Sequence, residues 1–398
     1  MQSLRIVLVM IEPPLPFSHA VSRWYYVLLR GLVERGHRVT AFAVCSKPAE
    51  MDQARALFPS PKSDLRCYPL PKRSGLRAKW EIFHRPYSYM FGLDLRSSLK
   101  ATLAEGFDIL HLESIWSGWM GQGLDLARTV LNFHSLYDID QANHPPLNWS
   151  DWIHRLLRRR AERRLLRNVG TLMTLSTRLQ KSVNAIAPGV PVHIVPLAMD
   201  LSLYPFIPAQ LRPKAKMISL IGSFDWLPTY SAAVRLLTRL WPEIRERSSD
   251  TRLQLVGWNA QQALRAYLPQ AGVEVVENVP STQSYFERAS VLVYAPDGAA
   301  SGMKVKVLEA FAYGVPVVTT HDGVEGLPVQ DGVHADVCND DAGLIAHTID
   351  LLGDCARQER QRVAARQLLQ ACCSPQVALD RVERCYEEIL VRQQGKTA

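Results

Sequence analysis

Long apolar runs are scarce in this chain. The opening stretch, Met1-Gln-Ser-Leu-Arg-Ile-Val-Leu-Val-Met-Ile11, is too short to cross a bilayer and has no small-residue cleavage site after it. It reads as a first β-strand. The expected location is the cytoplasm, with a peripheral contact at the inner membrane face as the further expectation. Cysteine is sparse too: seven residues, an odd number without framework spacing, which argues against a secreted disulfide scaffold. Cys372 and Cys373 are adjacent and give no metal-ligand pattern. There is no internal repeat and no low-complexity segment, and no pair of carboxylates stands at nucleophilic spacing.

The 398 residues allow two domains, each with its own core. A formal net charge of +8 fits anionic ligands or a membrane surface, and equally a plain basic protein. Alternating apolar runs and helical patterns supply the architecture. Arg5 to Ile11 is a buried strand, Val21 to Arg35 a helix, and Gly36 to Val44 closes a βαβ unit. Residues 46–106 read as a basic, Pro-containing segment with helices, and Pro71-Lys-Arg-Ser-Gly75 as a turn. Strands come next at Asp108–Glu113, Thr129–Ser135, Gly170–Ser176 and Val192–Ala198. A helix from Ile153 to Val169 carries Leu156, Leu157, Leu165 and Leu166 on its expected buried stripe.

A stretch with three prolines and no periodicity, Leu203 to Lys216, reads as a linker. A second βα series begins at Met217–Gly222 and continues through Leu253–Gly257, Val273–Val279, Val291–Ala295 and Val315–Thr319. The expected fold class is therefore α/β, with two Rossmann-like domains facing a central cleft. The domains are 1–202 and 217–374, joined by a linker at 203–216 and continued by a terminal helical segment at 375–398.

The stretch richest in chemistry is Asp297-Gly-Ala-Ala-Ser-Gly-Met-Lys-Val-Lys-Val-Leu-Glu-Ala-Phe-Ala-Tyr-Gly314. It is a Gly-rich turn opening a helix between two strands. Ser301 is the expected N-cap and Gly314 the C-cap, with Met303, Val307 and Phe311 at helical spacing. Such a helix start suits a diphosphate, and Lys304 and Lys306 add positive charge. Glu309 lies about two turns past Gly302, roughly 10 Å along an unbroken helix, about the span from a diphosphate to the ribose hydroxyls. Spacing alone also fits an ordinary amphipathic helix with Glu309 paired to Lys306.

This motif, with Gly323-Val-Glu-Gly-Leu327 after it, resembles the donor site of family 4 glycosyltransferases. These are retaining enzymes of the two-Rossmann-domain GT-B architecture. The resemblance implies a hexose moved from a nucleotide-diphosphate sugar to a hydroxyl acceptor, which is a glycan, a lipid-linked sugar or a small molecule. No metal or other cofactor is implied, no nucleic-acid partner, and polysaccharide assembly is one setting. A nucleotide-sugar epimerase of the same architecture, or an inactive sugar-nucleotide-binding relative, are the alternatives. The family commonly has a second glutamate eight positions before the first, where this chain has Ser301. The hexose is therefore left open.

Residue by residue, the resemblance implies catalytic roles for His134, Lys306 and Glu309. It places Gly222, Ser223, Val279, Ser301, Gly302, Met303 and Lys304 at the donor. Gly222 and Ser223 come after a strand, where backbone can approach phosphates. The next residues, Asp225 to Tyr230, hold no cation, so Lys304 and Lys306 must supply the charge. His19, Glu113 and Asp138 are assigned to the acceptor side, with His111 beside Glu113 at a strand end. Ser18-His19-Ala20 stands where the family often has a glycine pair. The terminal helix is implied to pack back on the N-terminal domain. Asp138-Ile-Asp140 has the DxD spacing of a metal site, but aspartates after a strand commonly cap turns. Trp116 and Trp119 read as packed core. The arginines 158–160, 163 and 164 read as a solvated helix face.

Overall fold

The computed structural model describes residues 2–59, 63–72, 84–124, 126–141, 146–212, 215–298 and 301–397. The chain forms two compact units, residues 1–198 with 375–398, and residues 199–374. Each is built on a parallel sheet.

The first unit runs β1 (Arg5–Met10), α1 (Ala20–Glu34), β2 (Arg38–Cys45), α2 (Pro48–Leu57), β3 (Ser63–Pro69), α3 (Leu93–Ala104), β4 (Ile109–Glu113) and β5 (Thr129–Phe133). It continues with α4 (Tyr137–Asp140), α5 (Trp149–Arg167), β6 (Thr171–Thr174), α6 (Thr177–Ile186) and β7 (Val192–Ile194). The strand order is β3-β2-β1-β4-β5-β6-β7. Central strands are apolar and buried on both faces, as crossover helices require.

Edge strand β3 was not expected within 46–106. Its sequence, Ser-Asp-Leu-Arg-Cys-Tyr-Pro, carries charges because only one side of an edge strand meets a neighbour. Arg73, Ser74 and Gly75 of the expected turn lie outside the described residues. Helix α5 starts earlier than Ile153, at Trp149, because the Asn148 side chain accepts from the Asp151 N–H at 2.9 Å. Its buried stripe is Ala161, Glu162, Leu165 and Leu166; Leu156 is exposed and Leu157 half-buried, contrary to the stripe read from sequence.

The C-terminal helix, Pro375–Thr397, lies against α1 in this unit. Gly31 permits the approach: a Cβ there would lie 2.1 Å from Leu379 Cδ1. Arg35 pairs with Asp380 at 2.7 Å and with Glu383, and His37 Nε2 is 2.9 Å from Glu383 Oε1.

The second unit contains β8 (Met217–Ile221), α7 (Leu227–Arg235), α8 (Trp241–Arg247), β9 (Arg252–Gly257), α9 (Ala260–Leu264), β10 (Val273–Glu277), α10 (Gln283–Arg288), β11 (Val291–Tyr294), α11 (Val305–Tyr313) and β12 (Val317–Thr319). β13 (Asp336–Val337), α12 (Asp341–Gly353) and α13 (Cys355–Cys373) complete it. The order is β10-β9-β8-β11-β12-β13. The two-residue β13 is too short to register as an apolar run.

The described part of the expected linker is packed into this unit. Arg362 lies 3.9 Å over the Phe206 ring, and Arg212 donates to the carbonyls of Gly314 and Ala289 at 3.1 and 2.7 Å. Pro213 and Lys214 lie outside the described residues. Among the described residues no helix is long and apolar enough to cross a membrane.

Candidate functional site

In a parallel sheet the side chains of different strands converge at the carboxyl ends, where loops replace pairing. Both units place chemistry there, and each is described in its own frame.

In the first unit the end of β4 supplies Glu113, whose carboxylate is fully buried. Trp24 of α1 and Asn132 of β5 each donate to Glu113 Oε1 at 3.0 Å. His111 Nε2 is 3.0 Å from the same oxygen, and His134 Nε2 is 3.4 Å from Oε2. Burial alone would raise this acid, but the two histidines beside it outweigh burial and hold Glu113 at about 2. Tyr386 of the C-terminal helix reaches His111 Nδ1 at 2.5 Å. The result is a continuous line, Tyr386–His111–Glu113–His134, in which only His134 reaches the surface.

This corrects two expectations. Glu113 and His111 are sealed inside, so neither touches an acceptor; their place at a strand end was right and their exposure was not. Asp138 lies on α4, where Arg159 and Arg163 hold its carboxylate at 2.9 and 3.4 Å, so it is not an open acceptor group. His19 is exposed and precedes α1 without capping it through its side chain. Trp119 is buried, donating to the Pro86 carbonyl at 2.8 Å, and Trp116 packs on Tyr87 at 4.6 Å.

Sequence reasoning missed Glu12, just past β1. Its carboxyl is raised above the ordinary range by burial, against the opposing pull of His19, the Ser22 hydroxyl and His134. The signal was available, since Glu12 also stands just beyond the carboxyl end of a central strand.

In the second unit Gly222 and Ser223 come directly after β8, Gly257 ends β9 and Lys306 lies in the first turn of α11. Glycine is required at Gly257 and leaves room at Gly222. A Cβ on Gly257 would stand 1.8 Å from the Gly222 carbonyl oxygen, and one on Gly222 would stand 3.1 Å from Lys306 Cε. The lysine stem thus lies against bare backbone, with its ammonium 4.4 Å from the centre of the Tyr294 ring. Loss of water pulls Lys306 down to about 7, Lys304 adds to this, and Glu309 opposes it.

Ser301 is not the N-cap. The chain takes a left-handed step at Gly302 (φ 78°), and α11 begins only at Val305, with Lys304 as its cap residue. Glycine in that conformation breaks the helical path, so the unbroken two-turn rise from Gly302 to Glu309 does not exist. Ser301, Gly302, Met303 and Lys304 form a buried approach to the helix. Lys304 Nζ meets the Gly302 carbonyl and lies 3.9 Å from Glu325. Glu309 is buried, 8% exposed, on the same helix as Lys306. Gly314 ends the helix at φ 71°, its N–H directed to the Ala310 and Phe311 carbonyls. Val279 sits half-buried after β10, beyond the left-handed Asn278.

Thr229, in the first turn of α7, was also missed. Its hydroxyl is buried without a hydrogen-bond partner, and its Cγ2 would lie 3.4 Å from a Cβ on Gly222. Among the described residues no group of three or more His, Cys, Asp or Glu could hold a metal ion.

The chain is similar to known glycosyltransferases. The profile of "Glycosyl transferases group 1" matches residues 215–354, and that of "Glycosyl transferase 4-like domain" matches residues 22–198. No curated protein sequence matches the chain. Sucrose-phosphate synthase from Thermosynechococcus elongatus superposes with a TM-score of 0.72 at 18% identity, covering 98% of this chain and 100% of that one. A glycosyltransferase from Rickettsia africae gives 0.66 at 12% identity over 98% and 99%. HepE of Anabaena, solved in complex with UDP and glucose, gives 0.66 at 12% identity over 97% and 100%. The chain belongs to the group 1 glycosyltransferases, family 4, and its two Rossmann-like units are those of the GT-B fold.

Proposed function

We propose that the protein is a retaining, metal-independent cytoplasmic hexosyltransferase that takes its sugar from a nucleotide-diphosphate donor and passes it to a hydroxyl acceptor. The observation that carries this reading is the convergence of Gly222, Thr229 and Lys306 around bare backbone, with Glu309 one helical turn on. The complex of Anabaena HepE with UDP and glucose supports a nucleotide sugar as the donor class.

In this reading the diphosphate takes the approach Ser301 to Lys304 and the first turn of α11, beside Gly222 and Ser223. Lys306 supplies charge there, Glu309 accepts from the ribose hydroxyls, and backbone at Val279 meets the base. Positive charge stabilises the departing nucleotide as the glycosidic bond breaks with oxocarbenium character. The acceptor hydroxyl attacks from the leaving-group face, and a donor phosphate oxygen receives its proton. His134 acts on the transferring sugar. Glu113, surrounded by four side chains, is a positioning residue that keeps His134 Nε2 turned inward and its other nitrogen toward substrate. Glu12 and His19 flank the acceptor side. The acceptor is a glycan, a lipid-linked sugar or a small molecule, and polysaccharide assembly is one setting.

The test is calorimetry and turnover with UDP-, GDP-, ADP- and dTDP-sugars, with and without EDTA. One nucleotide sugar binding, with EDTA without effect and transfer requiring an acceptor, supports the reading. Turnover without any acceptor would replace it with an epimerase, and no binding at all would end it.

A further inference from the structure

Helix α5 has a face that the proposed transfer does not use. Its inner side is closed by Ala161, Glu162, Leu165 and Leu166. At 3.6 residues per turn, the opposite side carries Trp149, Ile153, Leu156, Arg160, Arg163 and Arg167, at spacings of four, three, four, three and four. Trp152 and Arg159 flank that line. The N-terminal half of the outer face is thus apolar and the C-terminal half cationic.

The apolar half is open to solvent. Trp149 is 77% exposed, Leu147 just before the helix is 88% exposed, and Trp152, Ile153 and Leu156 are exposed as well. The two indoles pack edge-to-face at 5.3 Å, so they form one contiguous surface. Both acids of the helix, Asp151 and Glu162, project toward the other side by the same helical count. Asp138 offsets part of the charge by pairing with Arg159 and Arg163 together, and Arg160 and Arg167 remain exposed.

We propose that this face is a docking surface for an anionic phospholipid bilayer. Tryptophan and aliphatic side chains enter the boundary between headgroups and acyl chains, where an indole keeps its N–H wet and its ring dry. The arginines one to three turns further on meet lipid phosphates. Charge complementarity selects the lipid over a neutral apolar partner. Leucine and isoleucine, which offer nothing to nucleobases, select it over a nucleic acid. The inference rests on α5 alone and stands whether or not the proposed reaction is right.

Flotation of the full chain with vesicles tests it. Phosphatidylcholine vesicles containing about one-third phosphatidylglycerol are expected to carry the protein, and pure phosphatidylcholine vesicles to leave it behind. The double variant Trp149→Ser/Trp152→Ser is expected to lose binding by about tenfold or more, and Arg160→Glu by a smaller factor that vanishes at high salt. These positions face solvent, and an unchanged thermal melt separates lost docking from lost folding. Quenching of indole fluorescence by brominated lipid should appear in the wild type and fall in the double variant. The proposal is overturned if the wild type ignores the anionic vesicles. It is equally overturned if the double variant binds them as well as wild type, which would reduce the effect to general attraction of a basic protein or to a surface elsewhere. Binding that the double tryptophan change abolishes for an acidic protein, but not for vesicles, would reassign the face to a protein partner.

Discussion

The two strand-end clusters handle charge in opposite ways. In the first unit a buried carboxylate is surrounded before any ligand arrives: Glu113 meets Trp24, Asn132, His111 and His134, and is held at about 2. In the second unit a lysine is made uncomfortable: Lys306 lies over Tyr294 near a second lysine and is pulled down to about 7. The first cluster is a buried, largely paired network that fixes geometry, although His111 Nε2 and Asn132 Oδ1 make no hydrogen bond. The second holds a cation that an anionic ligand would satisfy. A preorganised site needs both kinds, since positioning comes from satisfied groups and binding energy from groups that a ligand satisfies.

The largest effect expected from breaking this contrast is at the lysine. Lys306→Met should cut transfer by about 100-fold or more and remove a proton signature. With Lys306 at about 7 in the free protein, it is mostly neutral at pH 8. A bound diphosphate raises its pKa, so binding should take up a proton at pH 8 and little at pH 6. Calorimetry in buffers of different ionisation enthalpy reads this directly, and uptake persisting in Lys306→Met would assign it elsewhere.

Next in size is Gly257→Ala. The new methyl would collide with the Gly222 carbonyl at 1.8 Å, at a backbone φ of +144°, and should cost about 3 kcal/mol. A denaturant melt that moves by much less would show that the two loops are free to part.

Glu113→Gln sharpens the other side of the comparison. It should lower turnover about tenfold while leaving nucleotide affinity unchanged, because the residue positions and does not bind. It also has an acid signature. The folded pKa of about 2 lies below the ordinary 4.5, so Glu113 contributes stability that is complete above pH 4.5 and lost as pH falls toward 2. The variant's acid-unfolding curve should be flatter in that window. The smallest effect belongs to Gly222→Ala, whose methyl meets only Lys306 Cε, at 3.1 Å, and the Thr229 side chain. Donor affinity should fall a few-fold, about 0.5–1 kcal/mol, with little change in melting.

Much of this was legible in the sequence because parallel strands advertise themselves. Runs such as Ile6–Met10 and Val291–Tyr294 are apolar throughout, and the residues just beyond them sit at the ligand-facing edge. That rule put His134, Gly222 and Ser223 just beyond strand ends, and the structure has them directly after β5 and β8. It missed Glu12, which stands beyond β1 in the same way but lies in a proline-rich loop that reads as turns alone. Nor does the rule report depth: Glu113 and His111 were placed on the correct strand and given exposure they lack. Ser301 failed for a local reason, because capping preference says nothing of a left-handed glycine one residue later. Of the four edge strands β7 and β10 were read, while β3 escaped because it is charged and β13 because it is two residues long. Leu156 of α5 was read into the buried stripe but is exposed, since period alone does not say which face the rest of the fold covers.

The decisive experiment on the nucleotide cradle is calorimetry of Glu309→Ala beside wild type against the four nucleotide sugars. Wild type should bind one of them, and the variant should weaken this by more than about tenfold while keeping its melting profile. Equal binding by the variant would contradict the proposed donor site, because a helix α11 that does not need Glu309 is not a cradle for the nucleotide.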